Sequence, residues 1–243
     1  MYRIAILLPS EPRCFGDCIV ESFLFRVYNP PRKDRRTNHT LLIEANDCAL
    51  IIVDVQKTFT DKLPEVKRQP LINRICWIIS VARWLDVPIV VTAEDVARLG
   101  GVAPDIQRHL PKDTKVHDKM VFGIAGNPDI LDAIDRLGRH TLTLTLVGLE
   151  SDVCVAQSAL SLLERGYQAV VPEDAIAAPG AAHHAGVRRM SDAGLVMTLL
   201  KALFYEWVRT VNRAKPFHDE WSDTDGDLPS NLGWEGYGLS QGM

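Results

Sequence analysis

Three residues of this chain have the chemistry of a covalent catalyst: the carboxylate of Asp54, the amine of Lys119 and the thiol of Cys154. Asp54 ends an apolar run that reads as a β-strand, Lys119 follows a short strand beginning at Val116, and Cys154 follows a further apolar run after a turn. Cys154 follows Leu146-Val147-Gly148 and opens an apolar pattern of helical spacing, so its sulfur sits in the first turn of a helix. Backbone N–H groups at a helix start lack intrahelical partners and the helix dipole is positive there, which favours a thiolate. In such a set Lys119 pairs with Asp54, fixes both and lowers the thiol pKa. Asp54 takes the thiol proton, returns it to a leaving nitrogen and later activates water. Cys154 attacks a carbonyl carbon, and N–H groups of the 148–154 turn hold the oxyanion. Each residue also has a plain reading: Asp54 as a turn cap, Lys119 as a solvated charge, Cys154 as a small buried side chain. Spacing by itself leaves both sets of readings open.

The elements that must position these residues alternate regularly. Strands are predicted at 49–53, 89–92, from Val116, at 142–147, 169–171 and 195–198, with helices at 71–85, 127–137, 154–165, 180–193 and 199–211. Gly138 reads as the C-cap of the second of these helices. Strands apolar on both faces and joined by helices imply a parallel sheet covered on two sides. Right-handed crossovers then leave a doubly wound α/β sheet of six strands. Ligands bind such sheets beyond the carboxyl ends of the strands, and all three residues map there. Residues 1–45 contain a polar, Pro-broken run and read as an arm. The α/β domain spans 46–212, and residues 213–243 lack periodicity and read as a tail.

Composition narrows the function. With 47% apolar residues the chain can build a full core without disulfides or metal. Its 27 Lys and Arg against 31 Asp and Glu give a net charge of −4, and the basic residues do not gather. Nucleic acid and anionic membranes are poor partners for that pattern. No apolar run approaches a membrane span, and the short run 4–8 lacks the features of a signal segment. Five cysteines without framework spacing fit a reducing compartment, so the expected location is cytoplasmic. Cys14 and Cys18 read as plain thiols, and Cys48 and Cys76 as core side chains.

Three segments carry a family resemblance: Ala49-Leu50-Ile51-Ile52-Val53-Asp54-Val55-Gln56-Lys57-Thr58-Phe59, then Lys119-Met120-Val121-Phe122-Gly123, then Gly148-Leu149-Glu150-Ser151-Asp152-Val153-Cys154-Val155. In order and spacing the chain from about 49 to 211 resembles the isochorismatase-like cysteine hydrolases, which include nicotinamidases and carbamoyl-amide and ureido-acid amidohydrolases. The resemblance implies a Rossmann-like three-layer fold with an Asp54–Lys119–Cys154 triad. It also implies a non-proline cis peptide between Leu149 and Glu150, with the N–H groups of Glu150 and Cys154 forming the oxyanion hole.

Departures from the family pattern are informative. Nicotinamidases of this family hold a metal through an Asp and several His after the second strand, whereas residues 92–101 here contain no His. Two carboxylates without imidazole make a poor zinc site, so no metal and no cofactor is expected. The family's vinyl-ether hydrolases lack the cysteine, so Cys154 points to attack on carbonyl carbon. Phe59 and Phe122 are candidates to wall a substrate pocket, and Glu94, at the same sheet edge, is a candidate substrate contact. His117 reads as strand packing, the His183-His184 pair as non-ligating, and Gly100-Gly101 as a loop hinge. The expected activity is hydrolysis of a C–N bond in a small amide, carbamoyl or ureido compound through a Cys154 thioester. A binding or scaffold protein of the same fold, an isochorismatase-type hydrolase of another substrate and a redox role for Cys154 are the alternatives. The resemblance also implies a homo-oligomer, from dimer to octamer.

Overall fold

The computed structural model describes residues 42–137 and 143–221, which belong to a compact unit beginning at Thr40. The run 4–8, Cys14, Cys18, most of the expected arm, the Gly138 cap and residues 222–243 lie outside the described residues.

A parallel sheet forms the middle layer. Strands β1 (Cys48–Val53), β2 (Ile89–Glu94), β3 (Val116–Lys119), β4 (Thr143–Leu149), β5 (Gln168–Pro172) and β7 (Val196–Thr198) lie in the order β3-β2-β1-β4-β5-β7. The chain moves from β1 outward through β2 to β3, then returns to lay β4 on the other side of β1. That reversal is the topological switch point, and it opens the crevice between β1 and β4 beyond their carboxyl ends. A seventh strand, β6 (Ile176–Ala177), pairs with Gly148 and Leu149 after β4 has parted from β5. The sequence reading gave six strands because two residues are too short to show a period.

Alternation along β1 builds both flanks. Leu50 and Ile52 face one core, with Ile75, Trp77, Leu203 and Phe204; Ala49, Ile51 and Val53 face the other, with Ile130, Val155 and Leu162. The first core is covered by α2 (Glu65–Trp84) and α8 (Leu200–Val208), the second by α5 (Pro128–Asp135), α6 (Cys154–Glu164) and α7 (Ala182–Asp192). Short helices α1 (Lys57–Thr60), α3 (Val96–Leu99) and α4 (Pro104–His109) complete the connections.

Three boundaries differ from the sequence reading. Helix α2 begins at Glu65 and carries Pro70 inside it. The sequence reading began this helix at 71; Pro70, in the second turn, removes only one ladder bond near the exposed end of a long, well-packed helix. At the other end of the domain α9 (Val211–Trp221) follows α8, and Ala214 and Phe217 are buried in the first core, so the domain continues past 212. Trp77, Trp84 and Phe204 stack around Phe217 at centroid distances of 5.2–6.0 Å. Ile43, placed in the arm by the sequence, is also core, and its N–H donates to Glu206 at 2.6 Å.

Candidate active site

The crevice holds four charged or nucleophilic side chains, one more than the sequence trio. Asp54 is the first residue after β1 and turns the chain with φ 48°, a left-handed conformation that Asp tolerates. Its Oδ2 lies 2.7 Å from Lys119 Nζ, and its Oδ1 accepts from Thr92 Oγ1 at 2.8 Å. Lys119 ends β3, wholly buried, and its ammonium donates to the carbonyls of Val121 and Phe122 at 3.0 and 3.1 Å. Register places Glu94 directly opposite Lys119 on the neighbouring strand, with Glu94 Oε2 3.7 Å from the ammonium. Cys154, the first residue of α6, donates its S–H to Glu94 Oε2 at 3.2 Å.

Two backbone features bring Cys154 to this point. Gly148 has φ 126°, and a Cβ there would stand 2.0 Å from the carbonyl oxygen of Val53. Only glycine lets the end of β4 lie this close to the end of β1, immediately before Asp54. Leu149–Glu150 is cis, as the family resemblance implied. The Glu150 carbonyl then accepts from the N–H groups of Val153 and Val155, which closes the turn into α6. Behind this turn Ser151 N–H donates to Ala177 of β6, and Ser151 Oγ lies 3.1 Å from His183 Nδ1 on α7. Gly186 brings α7 against the same segment, since a Cβ there would sit 2.5 Å from the Ser151 carbonyl.

The electrostatics correct one expectation. Burial pushes the Cys154 thiol well above its ordinary range; the negative Asp54 and the hydrogen bond to Glu94 act the same way, while Lys119 opposes them. The resting group is therefore a thiol rather than the thiolate inferred from the helix N-terminus. Two carboxylates and the loss of solvent outweigh one ammonium and a helix dipole. Burial likewise raises Asp54, against the lowering effects of Lys119 and Thr92.

The remaining candidates fall in different places. Phe59 is buried in the first core, with the Lys62 ammonium 4.7 Å from its ring centroid and Lys62 paired to Glu150 at 2.9 Å. Phe122 is 53% exposed, and it meets the site through its carbonyl, which accepts from Lys119. His117 is buried on β3, in keeping with strand packing. Gln56, quoted in the opening motif but given no role, is fully buried; its amide accepts from Glu94 N–H at 2.7 Å and donates to the carbonyls of Glu94 and Gly100 at 2.8 and 2.6 Å. It clamps the backbone of Glu94 and the loop after it. The signal was a buried-looking amide two residues past a strand-end acid.

Asp54, Glu94 and Cys154 each bring a ligand atom within 4.8 Å of the others, a spacing that suits a metal ion. The Lys119 ammonium already supplies a cation 2.7 Å from Asp54 and 3.7 Å from Glu94, so a metal would have to compete with it for the same carboxylates. A separate cleft of about 160 Å³, partly open to solvent, runs between α2 and α7 beside Arg74, Asp174 and His183. None of the four clustered residues lines it.

Comparisons with known proteins agree on one family. The isochorismatase domain model matches residues 48–201. A secreted isochorismatase effector, Isc1, of Phytophthora sojae is 30% identical over 170 residues, 65% of this chain and 75% of that protein. The MAR1 ribonuclease structure from Caenorhabditis elegans superposes with a TM-score of 0.67 at 26% identity, over 76% of this chain and 95% of that one. The YcaC gene product of Escherichia coli, described as an octameric hydrolase of unknown specificity, gives a TM-score of 0.68 at 22% identity, covering 81% and 96%.

Proposed function

Because the chain belongs to the isochorismatase family, we propose that it is a cysteine hydrolase that cleaves a C–N bond of a small amide, carbamoyl or ureido compound. The observation that carries this reading is the meeting of a thiol, two carboxylates and an ammonium at the switch point of the sheet. Cys154 is the nucleophile. Its sulfur adds to the carbonyl carbon, the oxyanion is held by the N–H groups of Glu150 and Cys154, and a thioester forms as the nitrogen leaves. A carboxylate beside the sulfur takes the thiol proton as attack proceeds. The family resemblance gives that duty to Asp54, and Lys119 stabilises the ionised carboxylate in a site from which water is largely removed. Glu94, which accepts from the thiol, is the proposed substrate contact together with Phe59, and Phe122 reaches the site through the carbonyl that accepts from Lys119.

The test is ammonia release from a panel of primary amides and ureido acids, with Cys154→Ala as control. Turnover lost in the variant supports the reading; turnover retained by the variant refutes it. We further propose a homo-oligomer, supported by the exposed apolar run Met120-Val121-Phe122 beside the site. A cytoplasmic setting is proposed from cysteine usage, since five cysteines without framework spacing fit a reducing compartment.

A further inference from the structure

The cleft between α2 and α7 backs onto the turn that leads to Cys154. Two of its lining residues, Ala177 and His183, are the partners of Ser151: the Ala177 carbonyl accepts the Ser151 N–H at 2.9 Å, and His183 Nδ1 lies 3.1 Å from Ser151 Oγ. Ser151 directly follows Glu150, whose N–H is assigned to the oxyanion hole. A third lining residue, Leu63, adjoins Lys62, and Lys62 pairs with the Glu150 carboxylate at 2.9 Å. The cleft is thus joined to the turn from β6, from α7 and from the segment before α2. Nor is there slack between α7 and the turn, since a Cβ at Gly186 would stand 2.5 Å from the Ser151 carbonyl.

The same lining defines what the cleft can take. Leu71, Ile176 and Ala178 give it apolar walls, while Arg74 and Lys67 set two positive charges against the one carboxylate of Asp174. Arg74 is only 4% exposed, so its guanidinium lies deep, and the exposed Lys67 stands at the mouth. Asp174 is committed on one side to α8, where its Oδ1 accepts from Leu200 N–H at 2.9 Å. Apolar walls around an excess of positive charge are the complement of a carboxylate on a hydrocarbon body. The volume, about 160 Å³, keeps that body to a short chain or a single ring.

We propose that the α2–α7 cleft is an effector site for small organic carboxylates, which act on the oxyanion turn through His183 and Ala177. The ligand carboxylate meets the cationic side of the lining, and its hydrocarbon body packs on Leu71 and Ile176. A filled cleft bears on both contacts that fix Ser151, and Ser151 cannot shift without carrying Glu150 with it. Occupancy therefore changes the reactivity of Cys154 without any contact between ligand and sulfur. Hydrolysis of an amide releases a carboxylate, so the cleft would also register product. That last consequence rests on the hydrolase reading, whereas binding in the cleft does not.

Benzoate titrated into the full-length chain by isothermal titration calorimetry tests the proposal, with benzamide and benzylamine as neutral and cationic controls. One benzoate per chain is expected, in Cys154→Ala as in wild type, and more tightly than either control. Arg74 is buried and its loss can unfold the chain, so the variant of choice is Lys67→Glu at the exposed mouth. It should weaken benzoate about fivefold or more while leaving the thermal melt unchanged. Saturating benzoate should change the rate of Cys154 alkylation by iodoacetamide, read by mass spectrometry, about fivefold or more. No binding, binding no tighter than benzamide, or binding indifferent to Lys67→Glu would overturn the site. Binding that leaves alkylation untouched would overturn its coupling to the turn. A particle size altered by Lys67→Glu, with no benzoate bound, would make the cleft a contact between copies of the chain instead. A wild-type chain that binds benzoate yet is never acylated by para-nitrophenyl acetate would lose the hydrolase reading and keep the site.

Discussion

The buried charges decide the behaviour of the site at the level of single residues. Lys119 is wholly buried between Asp54 at 2.7 Å and Glu94 at 3.7 Å. Removing it leaves two carboxylates facing each other without solvent. Lys119→Met should therefore lose about 3–5 kcal/mol in urea unfolding, and Asp54→Leu introduced alongside it should recover most of that loss. A single variant within about 1 kcal/mol of wild type would show that the pair is not the anchor described. Asp54 and Cys154 were legible in the sequence because one ends an apolar strand and the other starts a helix, whereas Lys119, on the polar strand Val116–Lys119, was legible through the family's Lys segment. The ionisation of Cys154 was not. It depends on Glu94 and Asp54 approaching from other strands and on loss of solvent, and neither is written near position 154. Glu94 itself was visible as a sheet-edge carboxylate, but its contact with sulfur follows from the β2–β3 register opposite Lys119.

Among the elements, the turn from β4 into α6 carries the most constraint. Gly148→Ala would drive a Cβ to 2.0 Å from the Val53 carbonyl at a φ of 126°. The ends of β1 and β4 would have to separate, moving Asp54 away from Cys154. The expected result is a destabilisation above about 2 kcal/mol and slower Cys154 acylation in whatever folds; a variant of wild-type stability would contradict the close approach. The backing of the same turn predicts a pH dependence. Burial pushes His183 down to about 4, with His184 and Lys67 acting in the same direction. Between about pH 6.5 and 4 the unfolded chain binds a proton there that the native chain refuses, so stability falls as pH falls through that window. Thermal melts should show the decline in wild type and a shallower one in His183→Gln, while parallel profiles would remove His183 as its source. The alternation of strands and helices was readable from period alone. What escaped were the shortest elements, β6 and the helices α1, α3 and α4, together with α9 and the first turns of α2 up to Pro70, where tertiary packing overrides a local breaker.

For the molecule as a whole, the doubly wound order places every member of the cluster beyond the carboxyl edge, on β1, β2, β3 and α6. The same edge bears Met120, 76% exposed, next to Phe122 at 53%. Adjacent large apolar side chains at a functional edge are the surface expected of an assembly contact. Met120→Glu should then reduce the particle size seen by light scattering while leaving the melting temperature of the protomer fold nearly unchanged. An unchanged size would mean that this run is not an assembly contact. The domain's limits were the least legible property. Ile43 and Phe217 lie outside the span with a clear period, and each joins the core from a short segment, with Ala45 and Ala214 respectively, too brief to show a period.

The central claim, that the sulfur of Cys154 attacks carbonyl carbon, is tested most directly by quenching the reaction with para-nitrophenyl acetate in acid and weighing the intact protein. A gain of one acetyl group, mapped to Cys154 and absent from Cys154→Ala, is the predicted result. No acetylated species, or the same adduct in the alanine variant, would contradict it.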